Sequence, residues 1–182
     1  MTIQAVTAQA MYEYSENCDL IFFWNRHLVS KLIEDITDGP SHVGMVVRPK
    51  EDTSQPYFIE AVWPAGTRLR PLARPGGSDG KMVLVRRVRP ADTLAKDEIL
   101  EAAYKTLGIP YEVKEELEIA LHRLLAAVKV QKYSGEYFCS GAVHHWFESA
   151  PAYVFGQPSE GNATPAYLWN ACRDQAILQS MV

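Results

Sequence analysis

The chain has 182 residues, 47% of them hydrophobic and 22% charged, with a formal net charge of −4. That is enough chain for one domain with a sizeable core and too apolar for a disordered one. The acidic balance argues against a protein whose task is to grip a nucleic-acid backbone.

Three cysteines, Cys18, Cys139 and Cys172, are too few and too odd in number for a disulfide framework, and no Cys-x-x-Cys pair suggests a structural zinc site. The first residues carry no basic stretch followed by an apolar run, so no signal peptide is read there. The longest apolar run, Leu20 to Trp24, is far short of the roughly twenty residues of a membrane helix. The expected setting is cytoplasmic, with thiols kept reduced.

In chain order, Leu20-Ile-Phe-Phe-Trp24 is rich in aromatic and branched residues and predicts a buried strand. Leu28, Leu32, Ile33 and Ile36 recur at helical spacing over Arg26 to Ile36, and Gly39-Pro40 ends that helix. Three strands follow over Ser41 to Val47, Tyr57 to Val62 and Met82 to Val88. The intervening Pro49 to Gln55 and Pro64 to Gly80 read as loops, because Pro, Gly, Asp and Ser crowd them. Asp92 is a good N-cap for a helix to Leu107, stopped by Gly108 and Pro110. A second helix is expected over Lys114 to Val130, with Leu117, Ala120, Leu121, Leu124 and Val128 as its apolar stripe. A third begins near Cys139, and a terminal one spans Tyr167 to Leu178. Strands and helices are grouped rather than alternating, which predicts a single α+β domain over residues 1–182.

Chemistry concentrates at three positions. Cys139, in Tyr137-Phe-Cys-Ser-Gly-Ala-Val143, stands at an expected helix N-terminus. There, free N–H groups and the positive end of the dipole favour a thiolate and can hold an oxyanion. The alternative is a small buried hydrophobe. His42, in Ser41-His-Val-Gly-Met-Val-Val47, needs a hydrogen-bond partner if its strand is buried, and Gly44 two residues on leaves room for a close approach. Taken alone, it reads as a satisfied strand-end histidine. Glu60 shares a strand face with Phe58 and Val62, and a half-exposed strand would account for it. Together, however, the three supply a nucleophile, a base and an orienter. Zinc ligation by the same three is the weaker alternative, because no ligand-spacing motif supports it. His144 and His145 point about 100° apart on a helix and read as a partly exposed face. Arg86, Arg87 and Arg89 read as a solvated strand edge.

The order Asp19-Leu-Ile-Phe, Ser41-His-Val-Gly44, Ile59-Glu-Ala61, Gly108-Ile-Pro-Tyr111, Tyr137-Phe-Cys-Ser140 and Thr164-Pro165 resembles the circularly permuted NlpC/P60 proteins, the YiiX/YaeF-like permuted papain-fold amidases. The resemblance implies a permuted papain-like α+β fold, a small antiparallel sheet packed against helices, with His and Glu preceding Cys. It implies Cys139 as nucleophile, His42 as general base, Glu60 as the residue orienting the histidine, and Tyr137 as an aromatic substrate or oxyanion contact. Trp63, with the loop Pro64 to Gly80, is expected to form one wall of the cleft. No cofactor is implied. The expected substrate is a peptide, a peptidoglycan fragment or another acyl or amide compound. Lipid acyl transfer on the same scaffold, or a binding module without activity, are the competing readings.

Three departures from the family pattern stand out. Cys18-Asp19 replaces Gly-Asp, and Tyr111-Glu112 replaces Tyr-Asp. Cys139-Ser-Gly-Ala142 replaces Cys-Ser-Glu-Leu, which removes a carboxylate one turn into the nucleophile helix.

Overall fold

The computed structural model describes residues 4–5, 11, 13–25, 34, 38–49, 55–62, 64–72, 80–110, 138–156 and 163–181. The helices expected over Arg26 to Ile36, apart from Glu34, and over Lys114 to Val130 lie outside these residues, as do Trp63 and Tyr137.

Seven strands form one sheet among the described residues: β1 (Gln4–Ala5), β2 (Leu20–Asn25), β3 (His42–Val47), β4 (Tyr57–Val62), β5 (Gly66–Pro71), β6 (Gly80–Val85) and β7 (Ala176–Met181). Their order is β1-β7-β6-β2-β3-β4-β5. Every pairing is antiparallel except the short parallel pair β1–β7. Branched and aromatic residues dominate β2, β3 and β4, as a pleated buried surface favours. Helices α1 (Thr93–Lys105), α2 (Cys139–Glu148) and α3 (Pro165–Cys172) complete the described architecture. The α+β class read from the sequence holds.

Strand alternation divides the packing. Val43, Met45 and Val47 of β3 and Ile59 and Ala61 of β4 join the main core with Ala142, Val143, Trp146 and Phe147 of α2. Val46 and Phe58 point the other way, into a smaller cluster with Ile21, Phe23, Met82 and Leu84. His42 and Gly44 follow the parity of Val46, and Glu60 follows that of Phe58.

Asp92 caps its helix as expected, accepting from Ala95 N–H at 3.3 Å. The last helix begins two residues before the expected Tyr167, where Thr164 accepts from Tyr167 N–H at 3.1 Å with Pro165 at the first helical position. Two readings change. The segment after Pro64 is not all loop, because Gly66–Pro71 forms β5. The terminal helix stops at Cys172, and after a single 3₁₀ turn the chain becomes β7, hydrogen-bonded to β6 and β1. Ladder bonds to two neighbouring strands override the local helical signal there.

The arginine cluster is also corrected. Arg86 makes a two-pronged contact with the buried carboxylate of Asp19 at 3.0 and 2.9 Å. Arg87 donates to the carbonyls of Tyr153 and Val154 and lies 4.2 Å from the Phe155 ring centre. Arg89 reaches the Tyr153 hydroxyl at 3.1 Å. These side chains brace the strand end against neighbouring segments, and only Arg89 is mainly solvated, with its side chain 80% exposed.

Candidate active site

Cys139 is the first residue of α2, after Phe138 in an extended conformation with no side-chain cap. An uncapped N-terminus leaves first-turn N–H groups without intrahelical partners, directed at the start of the helix where the thiol sits. A Cβ at Gly141 would stand 3.1 Å from the Phe138 ring, so the ring packs closely over the first turn.

His42 opens β3. Its Nε2 and Glu60 Oε2 are 2.9 Å apart, which leaves Nδ1 to face Cys139, the electrostatic partner that most favours the charged ring. The imidazole packs against Phe23, with ring centres 5.7 Å apart, and its side chain is 20% exposed. The β3–β4 register explains the His–Glu contact. Met45 pairs with Ile59 and Val46 with Phe58, so one step further Gly44 faces Glu60 and His42 stands diagonally beyond. Diagonal neighbours on one face are within reach of long side chains.

Gly44 serves this packing rather than a substrate, which corrects the expectation of open space. A Cβ there would meet the Phe58 ring at 2.4 Å and the Ile59 carbonyl oxygen at 2.7 Å.

Glu60 is 3% exposed. Its Oε1 accepts from Arg68 Nε and Nη2 at 3.2 and 2.9 Å and from Arg70 Nε at 2.7 Å. Burial works to push this carboxyl up, but contact with His42 and then Arg70 reverses that and holds it well below the usual carboxylate range. For His42, burial opposes the charge, and the Cys139 thiol followed by Glu60 outweighs it, lifting the imidazolium to about 10. Burial pushes Cys18 and Cys172 up to about 12, which makes them poor nucleophiles.

The structure therefore brings together Cys139, His42 and Glu60. It adds Arg68 and Arg70, which the sequence reading missed because they lie in the presumed loop after Pro64. The alternation in Thr67-Arg-Leu-Arg70 was the available signal. A zinc ion on the same three residues is disfavoured by chemistry, since both Glu60 oxygens already accept from cationic donors and His42 Nε2 faces one of them. Among the described residues, no group of three or more His, Cys, Asp or Glu is placed to hold a metal. His144 is buried rather than on an exposed face, its Nε2 2.9 Å from the Gly156 carbonyl oxygen, and it is not part of this cluster.

A solved structure described as the metalloprotein YiiX of Escherichia coli O157:H7 is similar in fold, with a TM-score of 0.60 and 24% identity. The similarity covers 78% of this chain and 69% of that one. Among curated proteins, none matches. The family described as "Permuted papain-like amidase enzyme, YaeF/YiiX, C92 family" matches residues 14–158. With most of its length matched and its fold shared, the chain belongs to the permuted papain-like YaeF/YiiX amidase family and is, by class, a cysteine amidase or peptidase.

Proposed function

We propose that the protein cleaves an amide bond in a peptide or peptidoglycan-like substrate through Cys139, His42 and Glu60. The observation that carries this reading is the His42 ring held between the Glu60 carboxylate, at 2.9 Å, and the Cys139 thiol. His42 takes the thiol proton, and the sulfur attacks the substrate carbonyl carbon to form a C–S bond. First-turn N–H groups of α2 receive the developing oxyanion. As the tetrahedral intermediate collapses, the C–N bond breaks and the departing amine takes the proton from His42. Water then gives a proton to His42 and attacks the thioester, releasing a carboxylic acid and regenerating the thiol. Glu60 keeps the imidazole in one orientation and stabilises its charged form, as the third member of such triads does.

The test is alkylation by iodoacetamide across pH, read cysteine by cysteine by mass spectrometry in the wild type and in His42→Ala. Cys139 alone is expected to react fast near neutrality, and loss of His42 moves its midpoint toward the free-cysteine value of about 8.5. Cys139 is 1% exposed, as buried as Cys18 and Cys172, so those two, whose thiols are pushed up to about 12 with no histidine beside them, are internal controls for access alone. If Cys139 reacts no faster than they do, or ignores the loss of His42, the nucleophile assignment fails and a binding role on this fold takes its place.

A further inference from the structure

We infer that Arg68 and Arg70 of β5 are positioning residues for the catalytic pair, holding Glu60 ionised and aimed so that His42 keeps its proton opposite the Cys139 thiolate. This rests on the triad assignment above and extends it from three residues to five.

The sheet register puts the two arginines where they can act. Arg68 is directly opposite Glu60, and Arg70 is directly opposite Phe58, so both project from the face that carries Glu60. Their three N–H donors all converge on Oε1, and the other oxygen, Oε2, is left for His42 Nε2. A carboxylate gripped on one oxygen by two guanidinium groups cannot rotate without breaking charge-assisted bonds. Arg70 is itself immobilised, its guanidinium lying 5.1 Å from the Phe58 ring centre. Phe58 in turn fills the space over Gly44. A chain of contacts therefore runs from the β3 glycine through Phe58 and Arg70 to the carboxylate.

The electrostatic consequence is specific. The charged groups facing Glu60 among the described residues are His42 from β3, Arg68 and Arg70 from β5, and Cys139 beyond the imidazole at the start of α2. A carboxyl as buried as Glu60 tends toward its neutral form when no cation opposes desolvation. A neutral Glu60 no longer supports the imidazolium, and an unsupported imidazolium no longer supports a thiolate. With both arginines present, their two positive charges balance the carboxylate and the thiolate before the histidine is counted. Because both donate to Glu60 itself, they lower its proton affinity more than that of His42, and the shared proton stays on His42 rather than on Glu60, where the departing amine could not reach it.

The experiment measures the pH midpoint of Cys139 alkylation in the wild type, Arg68→Gln, Arg70→Gln, the double variant and Arg70→Lys. Alkylation of Cys18 and Cys172 reports in the same sample whether each variant is folded. In the folded double variant the midpoint is expected to rise by about one pH unit, a roughly tenfold loss of thiolate at a given pH below it. Arg70→Lys should recover part of that shift, because it restores charge without the fork geometry. A purely structural role would leave the midpoint in place. A folded double variant with the wild-type midpoint overturns the inference and leaves the triad standing. A wild type whose Cys139 midpoint ignores His42 overturns both. If the double variant exposes Cys18 and Cys172, Arg68→Gln decides, since its side chain is already 45% exposed; no shift there overturns the inference.

Discussion

Glu60 is the residue on which the site turns, and its energetics can be tested without a substrate. Its folded-state affinity for protons is depressed, so its stabilising contribution is present above the unfolded carboxylate range and is lost as pH falls through it. Glu60→Gln removes the negative partner from a buried cluster of cations, and near neutral pH the loss is expected to be on the order of 3 kcal/mol. Urea unfolding of both proteins should show that gap at pH 6–7 and its steady narrowing below about 4.5. A gap independent of pH would mean the carboxylate is not held as the geometry indicates. Cys18 poses a different residue-scale question. It adopts φ 68°, a left-handed conformation that strains any residue with a Cβ. Its sulfur is nonetheless fully buried in the main core. Cys18→Ala loses the sulfur contacts and keeps the strain, whereas Cys18→Gly loses the contacts and relieves it. Thermal unfolding should therefore find the glycine variant the more stable of the two by about 1 kcal/mol, against the usual order for these residues.

At the scale of elements, β5 links the sheet edge to the site. Thr67 N–H donates to the Ile109 carbonyl at 2.8 Å and Gly108 N–H donates to the Thr67 carbonyl at 2.8 Å, so the turn after α1 closes onto the outer edge of β5. The Gly108-Ile-Pro motif, legible in the sequence as a helix stop and as one element of the family resemblance, thus anchors the strand that carries Arg68 and Arg70. Gly66 makes the approach possible, with φ 73° and a position where a Cβ would stand 2.3 Å from the Ile109 carbonyl oxygen. Gly66→Ala is expected to cost about 2 kcal/mol or more, measured by chemical denaturation. It should also raise the Cys139 alkylation midpoint, because a shifted β5 carries its arginines away from Glu60. Stability lost with the midpoint unchanged would separate the strand's structural role from its role at the site. On the opposite flank, the Trp146 indole N–H donates to Thr106 Oγ1 at 3.0 Å and ties α2 to the end of α1. The helix that presents Cys139 and the turn that holds β5 are therefore joined at one place.

For the whole molecule, the main core lies between one face of the sheet and the helices, while His42, Glu60 and the arginines follow the parity of the other face. The proposed nucleophile belongs to the helical layer and the proposed base to the sheet, Cys139 opening α2 and His42 opening β3. Much of this was legible from the residues alone. The runs Leu20 to Trp24, Ser41 to Val47 and Tyr57 to Val62 are strands because aromatic and branched side chains fit a buried pleat. Asp92 marks a helix start because its side chain satisfies an N–H group in the first turn. Cys139, His42 and Glu60 could be singled out as candidates because few residue types can act as nucleophile, base and orienter, and their motifs stand in the family's permuted order. The alternation that made Thr67-Arg-Leu-Arg70 a strand was masked by the Pro and Gly around it, and β7 followed a segment whose local signal was helical. In both cases the deciding bonds run to strands distant in sequence, which local propensity does not register. The roles of Arg68, Arg70 and Gly44 depended on cross-strand register. A single-residue slip would turn each side chain to the opposite face, so only the folded sheet decides which groups surround the carboxylate.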